Sequence, residues 1–369
     1  MNIDRVELFL VEMPLVAPFE TSFGVEEIEE HIIIRAEGEG ITGWGECVAS
    51  SGPWYSYETN VTAWHVLTDF MLPALFSAPL ERPQDFPERV GRVRGHPMAK
   101  AGLEGALWDW QGKASGKSLA TLFGATRDRI PVGVSIGLQA SVEALLDRAG
   151  KYLAEGYGRI KIKIKPGKDI ELVRAMRERF PDLKLQVDAN SAYRLSDVPL
   201  FVEMDRYDLL LIEQPLSNDD IYQHSILQRE LKTPICLDES IHSVDDALAA
   251  LELGACRIIN IKAGRVGGFS EAIKIHDLCA ARAALVWCGG MLETGIGRAG
   301  NVALAALPGF SLPGDISASR RYYREDLVEP EFIVDAEGTM AVPRGAGLGV
   351  EVKTDRLRAV TSRHAEFRK

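Results

Sequence analysis

The sequence predicts an α/β fold, a modified TIM barrel that follows an α+β domain, and three observations carry this prediction. Five ionisable residues recur at intervals of 25, 25, 25 and 24 residues, and each closes a short apolar run: Lys163, Asp188, Glu213, Asp238 and Lys262. A repeat of about 25 residues accommodates a buried strand, a helix and two short loops. In the first 125 residues, strands precede helices, which is typical of a separate α+β domain. Eight strand candidates then follow, which is the number that closes a parallel barrel.

Length, charge and cysteine content exclude several classes of protein. A chain of 369 residues is long enough for two domains. The formal net charge of −11 argues against a nucleic-acid partner, because phosphates require clustered Lys and Arg. The five cysteines form no CxxC pair and the first ten residues alternate like a strand, so we expect a reduced, cytoplasmic protein without a signal peptide. No stretch reaches the roughly 18 uncharged residues of a membrane span.

We expect the first domain to cover residues 1–125. Its strand candidates are Val6–Glu12 and His31–Ala36, followed by a turn region at 38–45 that leads into Trp44–Cys47. The segment Pro14–Gly24 contains Pro, Gly and aromatic residues without periodicity, so it is predicted to be a loop. Helical spacing of apolar residues covers Glu58–Phe76 and Met98–Ser115, with an end near Gly112 or Gly116.

We expect the barrel domain to cover residues 126–320. Its eight strand candidates are Val132–Ile136, Arg159–Ile164, Lys184–Val187, Leu209–Ile212, Ile235–Leu237, Arg257–Ile261, Leu285–Cys288 and Phe310–Pro313. Helical segments fall between most of them, including Val142–Glu155, Asp169–Phe180 and Val244–Leu253. An open doubly wound sheet is the alternative, but functional residues at five consecutive strand ends favour a closed barrel. The pattern becomes irregular after Asp315, and residues 321–369, including Gly345–Lys353, are predicted to return to the first domain.

Three of the strand-end residues are carboxylates, Asp188, Glu213 and Asp238, and no His or Cys occupies an equivalent position. Oxygen-only ligand sets select Mg²⁺ or Mn²⁺ over zinc. A cluster of three carboxylates without a cation would repel itself. Each carboxylate taken alone also fits a helix N-cap, as in Asp188-Ala189-Asn190-Ser191, but three at the same strand phase favour a metal site.

Lysines supply the remaining strand-end groups. Lys161, Lys163 and Lys165 alternate with Ile and therefore point to the same side of one strand. If that side is the barrel interior, we expect crowding to lower the pKa of at least one lysine and so to provide a base; an exposed edge strand is the alternative. Lys262 ends the sixth strand, about opposite the second. A carbon between these lysines would meet an amine on each face, which suits removal of the α-proton of a carboxylate with electrostatic help from a metal.

Seven motifs carry a resemblance that covers nearly the whole chain: Arg159–Lys163, Gln186–Asn190, Leu211–Pro215, Pro234–Ser240, Asn260–Lys262, Arg265–Gly268 and Val286–Thr294. Through them the sequence resembles the enolase superfamily, which pairs a Lys or His base with Mg²⁺. Within it, the chain is similar to the muconate-lactonizing-enzyme subgroup and to the o-succinylbenzoate synthase / N-acylamino acid racemase family. Ala263 departs from the family, which commonly has Pro at that position.

The resemblance implies a (β/α)7β-type barrel and an N-terminal capping domain completed by the C-terminal segment. It implies that Lys163 and Lys262 are the catalytic acid/base pair and that Asp188, Glu213 and Asp238 bind Mg²⁺, with Mn²⁺ as a substitute. The supporting residues would be Lys161, Asn190 and Glu239. A small carboxylate would be the substrate, contacted by Ser135, Arg265, Gly290, Met291 and Leu292.

In such relatives the first domain supplies two specificity loops. Here these correspond to Pro14–Gly24, with Phe19 and Phe23, and Ser50–Tyr57, with Trp54 and Tyr55. Aromatic loops over the barrel would bury an apolar part of the substrate and exclude water, although these rings also fit simple packing between domains. We also expect a homo-oligomer, a dimer or larger.

Several functions remain open at this point. The residue set serves both o-succinylbenzoate synthesis by dehydration and racemisation of N-succinyl or other N-acyl amino acids, and we expect both activities. Racemisation alone, dipeptide epimerisation and muconate cycloisomerisation are alternatives within the superfamily. A non-catalytic metal-binding protein and a phosphate-binding barrel enzyme built on the GxGxxG match at Gly295–Gly300 are alternatives from other classes.

Overall fold

A computed structural model describes residues 1–369 of the chain. Its fifteen strands are β1 (Arg5–Glu20), β2 (Val25–Gly38), β3 (Ile41–Cys47), β4 (Arg129–Pro131), β5 (Val134–Ile136), β6 (Arg159–Lys163), β7 (Lys184–Asp188), β8 (Ile212–Glu213), β9 (Ile235–Leu237), β10 (Ile258–Ile261), β11 (Leu285–Cys288), β12 (Val328–Glu329), β13 (Thr339–Ala341), β14 (Glu351–Val352) and β15 (Thr361–Arg368).

Fourteen α-helices accompany these strands. They are α1 (Asn60–Val66), α2 (Leu72–Phe76), α3 (Phe86–Arg89), α4 (Pro97–Ser115), α5 (Leu119–Phe123), α6 (Val142–Ala154), α7 (Ile170–Arg179), α8 (Val198–Met204), α9 (Tyr222–Glu230), α10 (Val244–Glu252), α11 (Ala263–Val266), α12 (Phe269–Ala281), α13 (Gly295–Ala305) and α14 (Thr354–Ala359). Short 3₁₀ turns lie at Pro83–Asp85, Leu195–Asp197, Asp205–Tyr207 and Ser319–Arg321. A π-helical turn at Leu67–Met71 joins α1 to α2, so the helix predicted over Glu58–Phe76 is present in three consecutive pieces.

The first sheet is antiparallel and has the strand order β15-β1-β2-β3. Helix α4 packs against it, and the close approach needs glycine on β3. A Cβ at Gly43 would lie 2.1 Å from the carbonyl oxygen of Ala106, and one at Gly45 would lie 2.1 Å from that of Gly102. The helix ends at Gly116, whose φ of +65° is the left-handed conformation that glycine adopts without strain.

The loop predicted over Pro14–Gly24 is wrong for most of its length. Strand β1 continues to Glu20 and pairs again with β2 at Phe19 and Glu20, beyond a shift in register between Pro14 and Phe19. The two prolines have no backbone N–H for the ladder, and the bulge breaks the alternation of side chains, so the segment lacks a strand pattern in the sequence. Only residues 21–24 form the turn.

The second sheet is parallel, with the strand order β11-β10-β9-β8-β7-β6-β5. The predicted eighth strand, Phe310–Pro313, is not a continuous strand. Single bridges from Val286 to Phe310 and from Val132 to Gly314 nevertheless join this segment to both ends of the sheet. The barrel is therefore closed, as seven strand–helix units and a final extended segment, and the predicted fold class is confirmed.

The C-terminal segment returns to the first domain at two places. Strand β15 pairs with β1 from Arg5 opposite Arg368 onwards. The Leu348 amide donates to Asp109 Oδ1 on α4 at 2.8 Å. The cap sheet is thus completed by the two ends of the chain. No helix is long and apolar enough to cross a lipid bilayer.

Candidate active site

The parallel register of the barrel brings the predicted strand-end residues to one rim. Lys163 lies opposite Asp188, and Asp188 lies opposite Glu213. Neither aspartate on this rim is a helix N-cap, because Asp197 precedes α8 and Ser243 caps α10. The N-cap alternative for Asp188 and Asp238 is therefore wrong.

Lys163 is buried and bound on two sides. Its Nζ donates to Asp188 Oδ2 at 2.7 Å and to Asn190 Oδ1 at 2.6 Å. The Asn190 amide nitrogen in turn donates to Glu239 Oε1 at 2.9 Å. Strand β6 lies between β5 and β7, so the alternative of lysines on an exposed edge strand is wrong. Asn190, itself held by Glu239, therefore fixes the position of Lys163 together with Asp188.

Lys161 lies one step deeper on the same strand and contacts three carboxylates. Its Nζ is 2.6 Å from Asp315 Oδ2, 2.8 Å from Glu213 Oε2 and 3.1 Å from Asp188 Oδ2. Burial acts to lower the pKa of Lys161, but these three negative charges outweigh burial and raise the pKa above its ordinary value. Crowding is expected to lower the pKa of at least one of the three lysines, and Lys161 is not that lysine, because carboxylates lie between it and the other cations.

Lys262 approaches from the opposite side of the barrel. Its Nζ donates to Asp238 Oδ2 at 2.8 Å and to the Tyr55 hydroxyl at 3.0 Å. Burial lowers the pKa of Lys262, but its contact with the Tyr55 hydroxyl and the negative charges of Glu213 and Glu239 outweigh burial, so the pKa is raised. The Tyr55 hydroxyl also donates to Asp238 Oδ1 at 3.1 Å, which places a side chain of the cap domain directly on the barrel rim.

The three carboxylates of the rim have the donor atoms that a divalent cation needs. Asp188, Glu213 and Asp238 offer only oxygen atoms, the donor type that Mg²⁺ prefers. Glu239 Oε2 is buried beside them without a hydrogen-bond partner. The side chains do not converge on one point, and no group of three or more His, Cys, Asp or Glu residues is arranged to hold a metal. In this arrangement the lysines neutralise the carboxylates, and the donor chemistry fits Mg²⁺ once these ion pairs open.

A cavity with about 790 Å³ of space free of atoms lies between the two domains and reaches all three lysines. Eight of the nine predicted substrate-binding residues line it: Phe19, Phe23, Trp54, Tyr55, Ser135, Gly290, Met291 and Leu292. The ninth, Arg265, does not. It is buried below the rim, where its guanidinium binds Asp238 and the carbonyl oxygens of Ile241 and Asn260.

Sequence reasoning missed other residues of the cavity. Asp315 pairs with Lys161 and with Arg159, and a strand-end signal existed for it, because it follows the eighth strand candidate by two positions. Glu26 and Glu29 reach the cavity from β2, within a segment that carried no functional motif. They reach it because β2 pairs with the continuation of β1 beyond Pro14, a segment that the sequence predicts to be a loop.

The start of α13 is not a phosphate site. The amides of Thr294 and Gly297 donate to the buried carboxylate of Glu46 at 2.9 and 2.7 Å. The Gly295 amide donates to Asp326 Oδ1 at 2.6 Å. Because two carboxylates of the chain already occupy these donors, the phosphate interpretation of the GxGxxG match is wrong.

Two family models match the chain. The mandelate racemase / muconate lactonizing enzyme N-terminal domain matches residues 5–124, and the enolase C-terminal domain-like family matches residues 144–356. The chain belongs to the enolase superfamily. Both the cap and the barrel are therefore parts of one known two-domain architecture.

Relatives that match the full length of the chain show to which family within the superfamily it belongs. The chain is 50% identical over 370 residues to an o-succinylbenzoate synthase of Geobacillus kaustophilus, covering 100% of this chain and 97% of that protein. It is 51% identical over 363 residues to an N-succinylamino acid racemase of Amycolatopsis sp., covering 98% of each. A solved enolase-superfamily member from Listeria innocua is 46% identical, with a TM-score of 0.96 over 100% of this chain and 99% of that one. The resemblance to the o-succinylbenzoate synthase / N-acylamino acid racemase family is confirmed, and the chain is an enzyme of that family.

Proposed function

We propose that this enzyme removes the α-proton of a carboxylate with the help of Mg²⁺, acting as an o-succinylbenzoate synthase and as a racemase of N-succinyl or other N-acyl amino acids. One observation carries the proposal. Two buried lysines, Lys163 and Lys262, line the same cavity from strands on opposite sides of the barrel. Similarity to relatives of both names supports the pair of activities.

Asp188, Glu213 and Asp238 are the residues that we propose as Mg²⁺ ligands, with Mn²⁺ as a substitute. A cation held there would supply positive charge that stabilises negative charge developing on the substrate carboxylate. Each proposed ligand now accepts a hydrogen bond from a lysine, at 2.7 Å for Asp188, 2.8 Å for Glu213 and 2.8 Å for Asp238. Release of these hydrogen bonds would leave Lys163 held by Asn190 alone.

In the dehydration, Lys163 takes the α-proton of the cyclohexadiene carboxylate on its neutral amine. The same lysine, now an ammonium, gives that proton to the departing hydroxyl group, which leaves as water while the ring becomes aromatic. Lys262 stays protonated and stabilises the negative charge of the intermediate from the opposite face. Proton count and charge therefore balance within the site, with no other acid or base.

In racemisation one lysine acts as the base and the other as the acid. One removes the α-proton as a neutral amine, and the other, on the opposite face, returns a proton from its ammonium group. The direction of the reaction decides which lysine is the base. Asn190 orients Lys163 and Tyr55 orients Lys262, so each amine is aimed by a side chain that carries no charge at neutral pH.

The test is proton NMR in D₂O with Mg²⁺, following α-proton exchange and racemisation of N-succinyl amino acids and turnover of the cyclohexadiene carboxylate. Lys163→Ala and Lys262→Ala should each abolish racemisation, and chelation of divalent metal should abolish both reactions reversibly. Lys165→Ala is the matched control, since this lysine lies on the same chain segment but outside the cavity, 3.3 Å from Glu20. Substantial racemisation by either of the first two variants would disprove the two-base scheme.

A further inference from the structure

The cavity has an acidic wall on its cap side, formed by Glu26 and Glu29 of β2. In a regular strand, residues three apart point to opposite faces. Here β1 bulges between Pro14 and Phe19, where β2 advances only from Ile28 to Glu26. Both carboxylates nevertheless line the cavity, on either side of this shift in register.

Glu29 is held in place by a buried imidazolium. His31 Nε2 is 3.6 Å from Glu29 Oε2, and His31 Nδ1 is 2.6 Å from Glu46 Oε1. Burial lowers the pKa of His31, but the hydrogen bonds and charges of Glu29 and Glu46 outweigh burial and raise it to about 10. His31 is therefore charged at neutral pH and shared between two carboxylates, of which only Glu29 faces the cavity.

Glu26 has no ion pair. Burial raises its pKa, and the neighbouring negative charges of Glu29 and Glu30 act in the same direction. The only cations that line the cavity are Lys161, Lys163 and Lys262, and all three are engaged by carboxylates of the barrel rim. Glu29 shares the single cation His31 with Glu46, and Glu26 has no cationic partner, so the cap-side wall keeps a net negative charge.

A second feature shows that the cavity is built for a polar ligand. Ser135 lies on the barrel side of the same cavity and is 6% exposed, and its Oγ has no hydrogen-bond partner in the protein. A buried hydroxyl without a partner costs free energy unless a ligand completes its bond. A polar group of a ligand is therefore expected next to Ser135.

We propose that Glu26 and Glu29 recognise a cationic group of the substrate, an ammonium or guanidinium at the end opposite the reacting carboxylate. This inference rests on the proposed α-proton chemistry and names its substrate class. Two sources have this chemistry: the basic side chain of an N-acyl lysine or arginine, and the free α-ammonium of a dipeptide. Substrates with an acidic side chain at this wall are disfavoured by like-charge repulsion.

The experiment compares N-succinyl-L-lysine with N-succinyl-L-norleucine, which has the same chain length without the ammonium. We expect kcat/KM to be about ten- to hundredfold higher for the lysine derivative, because a hydrogen bond to a charged group discriminates by about that factor. Glu26→Gln and Glu29→Gln should each reduce this ratio several-fold. Glu27→Gln is the matched control, since Glu27 is exposed and does not line the cavity, and it should leave the ratio unchanged.

A second comparison, with a dipeptide, distinguishes a basic side chain from a free α-ammonium as the cationic group. Preference for a dipeptide over its N-acetylated form, lost in Glu26→Gln, would assign the wall to an α-ammonium. Calorimetric binding of the lysine and norleucine derivatives to the wild-type enzyme gives a readout independent of turnover. Equal affinities and equal kcat/KM for cationic and neutral ligands in both arms would overturn the inference. Absence of α-proton exchange with a retained preference in binding would instead count against the proposed function alone.

Discussion

Gly289, directly after β11, shows how little space the rim leaves around Lys262. A Cβ at this position would lie 2.2 Å from Asn260 Oδ1 and 2.8 Å from Lys262 Cε. Asn260 in turn donates to Glu213 Oε1 at 2.8 Å. The glycine thus lets one amide and one lysine share the space beneath the substrate.

Gly289→Ala should lower kcat about tenfold or more, because Lys262 is proposed as a catalytic amine, and displacement of such an amine by a fraction of an ångström to 1 Å costs up to about a hundredfold in rate. Steady-state kinetics with a circular dichroism spectrum checks this. Gly158→Ala is the control, since a Cβ there meets nothing within 4 Å. Unchanged kcat in Gly289→Ala would show that the rim relaxes freely.

Helix α4 of the cap places a buried carboxyl group, that of Glu104, at the start of the barrel helix α12. Glu104 Oε2 accepts the amide of Ser270 in the first turn of α12 at 3.3 Å, and its Oε1 has no partner. Burial raises the pKa of this carboxyl to about 7, and its hydrogen bonds with Ser270 oppose the rise only in part. The cap and the barrel therefore meet at a group that titrates near neutral pH.

The stability contribution of Glu104 follows from this shift. Its pKa is about 7 in the folded state against an ordinary 4.5, so between these values the folded state holds a proton that the unfolded state releases. The free energy of unfolding should therefore fall as pH rises from about 4.5 to about 7, by up to about 3 kcal/mol from this group. Glu104→Gln cannot ionise, so its stability relative to wild type should increase with pH. Urea unfolding of both proteins at pH 5 and pH 8 checks this, and a constant difference would contradict it.

Replacement of two helical glycines by alanine should change the free energy of unfolding in opposite directions. Gly116 ends α4 with φ at +65°, and Gly150 lies within α6; a Cβ at either position meets nothing within 4 Å. Gly116→Ala should destabilise by about 1 kcal/mol, because L-residues are strained in the left-handed region. Gly150→Ala should stabilise by about 0.5–1 kcal/mol through helix propensity and a less flexible unfolded chain. Urea unfolding midpoints of the two variants check this. Shifts in the same direction from wild type would contradict the backbone argument.

At the scale of the whole molecule, the last strand covers the edge of the first. Strand β15 pairs with β1 over Arg5–Val11, and Val6 and Leu8 of β1 are fully buried. Without β15, the edge of β1 would present unpaired amides and carbonyls to other chains. The end of the sequence is therefore a structural part of the cap that lies over the active site.

Truncation after Val360 should lower the melting temperature and cause association of the protein. Light scattering and a thermal unfolding curve measure both effects. Removal of Lys369 alone, which lies outside the strand, is the control. A monodisperse truncated protein with the wild-type melting temperature would contradict the role given to β15.

The domain boundaries at 125/126 and 320/321 stay a prediction, as does the homo-oligomer. Family models end at 124 and begin again at 144, so the first boundary falls at or just after the end of the cap match. Limited proteolysis would locate flexible connections, and light scattering of the native protein would give the number of subunits.

The sequence by itself determined the barrel and its chemistry, because strands and helices are local patterns and the interval of about 25 residues repeats them in phase. Lys163, Asp188, Glu213, Asp238 and Lys262 could all be named from that interval, and the structure brings them to one rim. Burial of the barrel strands on both faces makes each run mostly apolar, so the ionisable residue that closes it is easy to recognise and the signal is regular.

Only the tertiary structure decided the rest. The strand beyond Pro14, the role of Asp315 and the acidic wall at Glu26 and Glu29 depend on contacts between segments far apart in sequence. The direction of the pKa shift at Lys161 likewise depends on carboxylates from three other strand ends. Periodicity records which face of an element is buried, whereas a bulge or an ion pair is set by the partner across the interface, and that partner has no fixed spacing along the chain.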